Sequence, residues 1–155
     1  MRAKDFLLQH KKIDKMIENK LIEQQLWREQ ATGTTSTITS DKVQSSGNPH
    51  RMADAIGRYI DMENEINKDI DILVDIKKDI ISVIEQLEVT EYDVLYKMYV
   101  GVIKSTPKGK KRYYYSLDDV ADAYEKTYSW ATTMHGRALK SVQDILNKRE
   151  YEGNR

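Results

Sequence analysis

The sequence predicts an all-α protein with a long N-terminal helical hairpin or coiled coil and a C-terminal helix-turn-helix domain. Three observations lead to this prediction. Only two prolines and seven glycines occur among 155 residues, so long stretches are free of helix breakers. Charged residues make up 32% of the chain and apolar residues 39%, which suits long solvated helices better than one large core. The third observation is the spacing of apolar residues along the chain.

Residues 1–30 are predicted to form one helix, because their apolar side chains fall close to a single stripe. The stripe consists of Phe6, Ile13, Ile17, Leu21 and Trp27. Residues 31–50 are dominated by Ser, Thr, Gly and Asn and show no periodicity. We therefore expect a flexible linker there, long enough for the chain to reverse its direction.

Residues 51–88 carry the clearest periodic signal, because apolar residues alternate at spacings of four and three. The series is Met52, Ile56, Tyr59, Ile66, Ile70, Leu73, Ile80, Ile84 and Leu87, with polar Glu63 and Lys77 in two of its positions. This spacing is typical of a long coiled-coil-like helix that packs on another helix. Helix 1–30 is the expected partner. A second subunit is the competing partner, so a homo-oligomer through residues 1–88 stays open.

The next segment contains a helix-start signal and a turn. Thr90 followed by Asp93 matches the cap of a helix over residues 91–100, which Gly101 ends. In residues 102–115, β-prone runs flank a Pro-Lys-Gly-Lys turn. A short β-hairpin and a basic loop are both compatible with this pattern.

Two further helices follow, joined by a very short turn. Ser116 with Asp119 forms a second capping signature. A three-residue turn at 125–127 leads into a final helix over about 128–148, and we expect the tail at 150–155 to be frayed. So tight a connection is typical of a helix-turn-helix, in which the second helix enters the DNA major groove.

The stretch 89–149 resembles the DNA-binding fourth domain of bacterial sigma factors, and more specifically the RinA/ArpU-type late-gene activators of phages of Gram-positive hosts. The similarity rests on Leu117-Asp118-Asp119-Val120-Ala121 in the scaffold helix, Thr127 as the cap of the recognition helix and Arg137-Ala138-Leu139 in its core turn. It implies a sigma-like transcription regulator that activates phage or prophage late genes in a bacterial cytoplasm. Host RNA polymerase is a further expected partner.

Two features depart from that family pattern. The basic segment 101–115 is longer than the usual connection, and the final helix begins with Tyr128-Ser129-Trp130 where sigma factors usually present charged residues. The resemblance therefore implies no particular DNA target. A small terminase subunit that recognises phage DNA for packaging, and an adaptor that binds RNA polymerase, are the alternative functions.

The expected partner is double-stranded DNA, and the candidate contacts fall in two groups. On the final helix they are Thr127, Ser129, Trp130, Thr132, Thr133, Arg137 and Lys140. Arg137 and Lys140 suit phosphates or guanine, and Thr132 or Thr133 suits a thymine methyl group. Trp130 fits a core position equally well. In the preceding basic segment the candidates are Lys104, Lys108, Lys110, Lys111 and Arg112, which suit phosphate contacts.

Catalysis, cofactors and membranes find little support in the sequence. The formal net charge is zero, but residues 91–155 carry twelve basic and nine acidic side chains. Cysteine is absent, and the three histidines lack the spacing of metal ligands. Acidic pairs four residues apart in 51–88 are typical of a solvated helix face. We therefore expect a protein without enzymatic activity, cofactor, metal or membrane span.

Overall fold

The computed structural model describes residues 1–36 and 49–155, and their side chains over residues 1–31 and 53–155. These residues are helical apart from a two-stranded antiparallel sheet, which confirms the all-α prediction and the short hairpin. The elements are α1 (Ala3–Ser36), α2 (Pro49–Ile84), α3 (Val89–Leu95), a π-helical turn (Tyr96–Val100), β1 (Val102–Thr106), β2 (Gly109–Tyr113), α4 (Leu117–Ala123) and α5 (Tyr128–Gly153).

The long helices differ from prediction at their ends. Residues 31–36, assigned to the linker, continue α1, because adding a residue to an existing helix costs far less than starting one. The rest of the predicted linker up to residue 48 lies outside the described residues, as does the side chain of Met52. Helix α2 ends at Ile84 rather than at residue 88, and α5 continues through most of the predicted frayed tail to Gly153.

The chain divides into two compact units. Residues Asp14–Val74 form one, here called the hairpin unit, and Met1–Ile13 with Asp75–Arg155 form the other, here called the terminal unit. This division does not fall at the predicted boundary at residue 89, because the start of α1 and the end of α2 belong to the same unit as the C-terminal helices. The side chains of Leu7, Ile80 and Ile84 are fully buried in this unit.

In the hairpin unit the two helices run antiparallel. Lys20 pairs with Asp69 at 3.2 Å, Gln24 donates to Asn67 at 3.0 Å and Arg28 pairs with Glu63 at 2.9 Å, so rising numbers in α1 meet falling numbers in α2. Of these six residues, Glu63 alone lies on a predicted series, at one of its two polar positions. Leu21, Trp27 and Ile56, all assigned to apolar stripes, are exposed, while Ile66 and Leu73 are buried as predicted.

The terminal unit holds a core beneath α4 and α5. Buried Val94, Val120, Ala121 and Ala131 form its centre. The partly buried side chains around them are Met98, Tyr115, Leu117, Tyr124, Trp130 and Met134. Helix α4 and the first turns of α5 are thus held against α3.

Helix α3 begins two residues earlier than predicted and without the predicted cap. Glu88 occupies the N-cap position and makes no side-chain cap bond, so Thr90 lies inside the helix. The predicted single helix over residues 91–100 is also corrected, since its second half is a π-helical turn. The Gly101 N–H donates to the Tyr96 carbonyl at 2.8 Å and closes that turn, which confirms Gly101 as the end.

Candidate nucleic-acid interface

The start of α4 is fixed by the predicted capping box. The Asp119 N–H donates to Ser116 Oγ at 3.2 Å, and the Ser116 N–H donates to Asp119 Oδ2 at 3.0 Å. The Tyr113 hydroxyl also donates to Asp119 Oδ2, at 2.7 Å, and so ties the end of β2 to α4. These hydrogen bonds, that of the Ser116 backbone foremost, lower the pKa of Asp119. The carboxylate is therefore charged where it meets the positive end of the helix.

The turn between α4 and α5 has the hydrogen bonds of a Schellman motif. The Lys126 N–H donates to the Ala121 carbonyl at 2.9 Å, and the Glu125 N–H donates to the Asp122 carbonyl at 3.1 Å. Glu125 has φ = 52°, in the left-handed region where glycine is usual. The turn is therefore held by its hydrogen bonds, without a glycine at the left-handed position. Because that glycine is missing, the sequence gives only a weak signal for this type of turn.

Helix α5 begins at a threonine cap, as predicted. Thr127 Oγ1 accepts from the Trp130 N–H at 3.1 Å, so this side chain has a structural role at the start of the helix. The Trp130 ring lies 5.1 Å from the Tyr124 ring and packs against the core. The sequence left Trp130 open between a DNA contact and a core position, and in the structure the ring packs on the inner side of α5.

The opposite side of α5 is free of internal packing. Ala131, Ala138 and Val142 are completely buried. The exposed residues of the first four turns include the predicted candidates Ser129, Thr132, Thr133, Arg137 and Lys140, together with Tyr128 and Gly136. We call these seven residues the α5 face. Tyr128 is not among the predicted candidates, and its side chain is 54% exposed. The sequence signal that could have identified it is a large aromatic residue at the first position of the helix.

The β-hairpin carries an exposed set of lysines, here called the hairpin lysines: Lys104, Lys108, Lys110 and Lys111. Lys104 and Lys111 lie directly opposite each other in the strand register. Like charges in opposite positions destabilise a strand pair. The nearby ring of Tyr113 offsets part of this cost, because Lys104 Nζ lies 4.0 Å from its centroid.

Arg112 differs from the hairpin lysines. Its Nη1 donates to the Val100 carbonyl at 2.7 Å, across the base of the hairpin. The guanidinium is thereby tied to the end of the π-helical turn, which gives Arg112 a structural role, while its predicted DNA contact stays a prediction. The spacing of basic residues alone could not distinguish it from its neighbours.

His135, on α5, is half-buried. Its Nε2 shares a hydrogen bond of 2.9 Å with the Tyr99 hydroxyl, and the two rings are stacked with centroids 5.9 Å apart. Burial, with a smaller contribution from the charge of Lys4, lowers the pKa of His135. The imidazole is therefore neutral in the folded protein at neutral pH.

We predict that this histidine makes the fold sensitive to mild acid. An unfolded histidine titrates near pH 6.5, so below that pH the unfolded chain binds the proton first and stability falls until the folded pKa is reached. The Tm of the protein should drop more between pH 7.5 and pH 5.0 than the Tm of His135→Gln, whose amide can still pair with Tyr99. Equal drops in the two proteins would contradict the prediction.

The described residues contain neither a candidate metal site nor a candidate membrane span. Within residues 1–36 and 49–155, no group of three or more His, Asp or Glu side chains is positioned to hold a metal ion. No helix in that part of the chain combines the length and the apolar character needed to cross a membrane.

Comparisons with protein-family models, with curated proteins and with solved structures find no match for this chain. Its class is therefore defined by its own fold. It is a small all-α protein whose terminal unit contains a helix-turn-helix, formed by α4 and α5, next to a basic β-hairpin.

Proposed function

We propose that the protein is a sequence-specific regulator of transcription that binds double-stranded DNA through α5. The observation that carries this proposal is the α5 face. It lies on the second helix of a capped helix-turn-helix, it is exposed, and it includes Arg137 and Lys140. The first turns of such a helix are the part that enters the major groove.

The α5 face and the hairpin lysines would have different roles in DNA binding. Arg137 on the α5 face is suited to a guanine edge, because its fork of donors matches the O6 and N7 acceptors. The hairpin lysines are point charges on exposed strands and suit phosphates, which carry no sequence information. The Tyr113–Asp119 bond joins the end of β2 to the start of α4, and both regions belong to the terminal unit.

The test is a salt-titrated fluorescence anisotropy assay on the full chain. Duplexes enriched from a random pool are compared with an unselected duplex. We expect the enriched site to bind on the order of a thousandfold more tightly. Failure to enrich any sequence, or binding lost at physiological salt, would contradict the proposal. An adaptor that binds RNA polymerase without reading DNA would then be the better hypothesis.

We predict that the hairpin lysines supply affinity and little sequence preference. Lys110→Ala with Lys111→Ala should weaken binding to enriched and unselected duplexes by a similar factor. Each lost phosphate contact should reduce the slope of log K against log salt by about 0.9. Lys148→Ala, a distant exposed lysine on α5, is the control. A double variant that loses only its preference for the enriched site would contradict this role.

The regulated genes are proposed from the sequence resemblance alone. The similarity to RinA/ArpU-type activators favours late genes of a phage or prophage, with host RNA polymerase as a further partner. A reporter gene placed downstream of the enriched site tests this. Increased expression supports an activator, decreased expression indicates a repressor, and no response with DNA binding intact favours a small terminase subunit.

We infer that the hairpin unit brings two copies of the chain together. Ile22 and Leu26, four residues apart on α1, are 51% and 53% exposed, and Ile56 and Ile60 on α2 are exposed to a similar degree. Two helices with this much apolar surface are stabilised by further helices, as in a four-helix bundle. Paired subunits also match the half-site geometry of many helix-turn-helix proteins.

We predict that charge on this surface prevents association. Ile22→Glu with Leu26→Glu should shift the sedimentation coefficient to that of a monomer, because burying a carboxylate against an apolar surface is costly. Lys12→Glu, exposed earlier on the same helix, is the control for added charge. A wild-type protein that sediments as a monomer at all concentrations tested would show the inference to be wrong.

A further inference from the structure

The threonines of the α5 face have hydroxyl groups that are already engaged. Thr132 Oγ1 donates to the Tyr128 carbonyl and Thr133 Oγ1 donates to the Ser129 carbonyl, each at 3.0 Å. A hydroxyl has one proton, so neither side chain can donate to a phosphate or to a purine acceptor while its bond to the helix is kept. What each exposed side chain still offers a partner is a methyl group and an oxygen lone pair.

Gly136 lies on the same side of α5, three residues after Thr133. A Cβ added there would meet no atom within 4 Å, so internal packing does not require glycine at this position. A glycine inside a helix is destabilising relative to alanine. The absence of a side chain is therefore unexplained by the fold, and its effect is to lower the surface beside the threonine methyl groups.

We propose that Thr132 and Thr133 recognise thymine methyl groups in the major groove, and that Gly136 lets the base edges approach them closely. This inference rests on the proposed DNA-binding function. Thymine is the base that presents a methyl group in the major groove, and threonine methyl groups are suited to contact it. The side chains of the neighbouring Arg137 and Lys140 can donate to hydrogen-bond acceptors on DNA. The site should therefore combine thymine contacts with contacts to guanine or phosphate.

Replacing thymine by deoxyuridine in the enriched duplex removes only the methyl group, and it tests the proposal directly. Single replacements at the contacted positions should weaken binding of the wild-type chain roughly threefold to fivefold, the effect of one buried methyl group. Thr133→Ser removes the protein methyl and should lose affinity by a similar factor. It should also become insensitive to deoxyuridine at its position. Thr133→Val keeps a methyl group and should keep both the affinity and the sensitivity, and the same pair at Thr132 repeats the test.

Other outcomes separate this inference from the proposed function. Specific binding that no deoxyuridine replacement weakens would overturn the thymine assignment and leave DNA recognition standing. A larger loss for Thr133→Val than for Thr133→Ser would also overturn it, because the oxygen would then be accepting from adenine or cytosine. If no duplex is enriched at all, the proposed function itself fails.

Gly136→Ala provides an independent measurement. The variant should melt at a higher temperature than the wild type and yet bind the enriched duplex more weakly, because the added methyl group separates the helix from the base edges. Unchanged or tighter DNA binding in this more stable variant would contradict the role given to Gly136.

Discussion

Replacing Gly101 by alanine should destabilise the terminal unit by about 2–5 kcal/mol. The residue has φ = 86°, and an added Cβ would lie 2.9 Å from the Tyr113 carbonyl oxygen and 2.9 Å from Arg112 Cγ. A left-handed conformation costs a residue with a Cβ roughly 1–2 kcal/mol. Overpacking costs about 1–3 kcal/mol more, since the carbonyl belongs to backbone that cannot swing aside.

Urea unfolding followed by circular dichroism measures this loss. Gly57→Ala is the matched control, because a Cβ at that helical position meets nothing within 4 Å and should stabilise α2 by up to about 1 kcal/mol. If Gly101→Ala unfolds within about 0.5 kcal/mol of the wild type, the hairpin base is more adaptable than its geometry indicates.

Arg137→Ala should produce the largest change in DNA recognition. Loss of one bidentate guanine contact costs about 1–3 kcal/mol of discrimination, so the preference for the enriched site should fall roughly tenfold to a hundredfold. Affinity for the unselected duplex should change much less. Arg137 is exposed and forms no part of the core, so the variant should fold normally.

Competition anisotropy with enriched and unselected duplexes measures that ratio. Lys148→Ala removes the same charge from the same helix about 16 Å further along its axis, beyond the turns expected in the groove. The specificity ratio should be retained in this control. Similar losses of preference in both variants would mean that α5 contributes general charge and does not read bases.

The features of the fold that could be predicted depend on residues that are close together in the sequence. Ser116 with Asp119, Thr127 and Gly101 act on backbone groups within a few positions of themselves, so their roles follow from sequence spacing. The failed cap at Thr90 shows the limit of such signals, because a matching spacing does not ensure that the helix begins there.

The errors arose where distant parts of the chain meet. The observed units depart from the boundary at residue 89, since Ala3 and Gln143, far apart in sequence, lie in one unit and are joined by a hydrogen bond of 2.8 Å. On the α5 face, helical periodicity separated the exposed positions from buried Ala131 and Ala138 correctly. Periodicity could not show that Trp130 packs inward, because that depends on Tyr124 at the end of α4. Nor could the spacing of basic residues distinguish Arg112 from the hairpin lysines.

The terminal unit is formed by two segments that are far apart in sequence, and this affects how the chain folds during synthesis. Its first thirteen residues leave the ribosome long before α5, yet they belong to the same compact unit. Contacts between such distant segments close slowly, because a long loop must be ordered first. Leu7, which is fully buried in the finished unit, belongs to the earlier of these two segments. The terminal unit should consequently reach its final packing only after residues 75–155 have been synthesised.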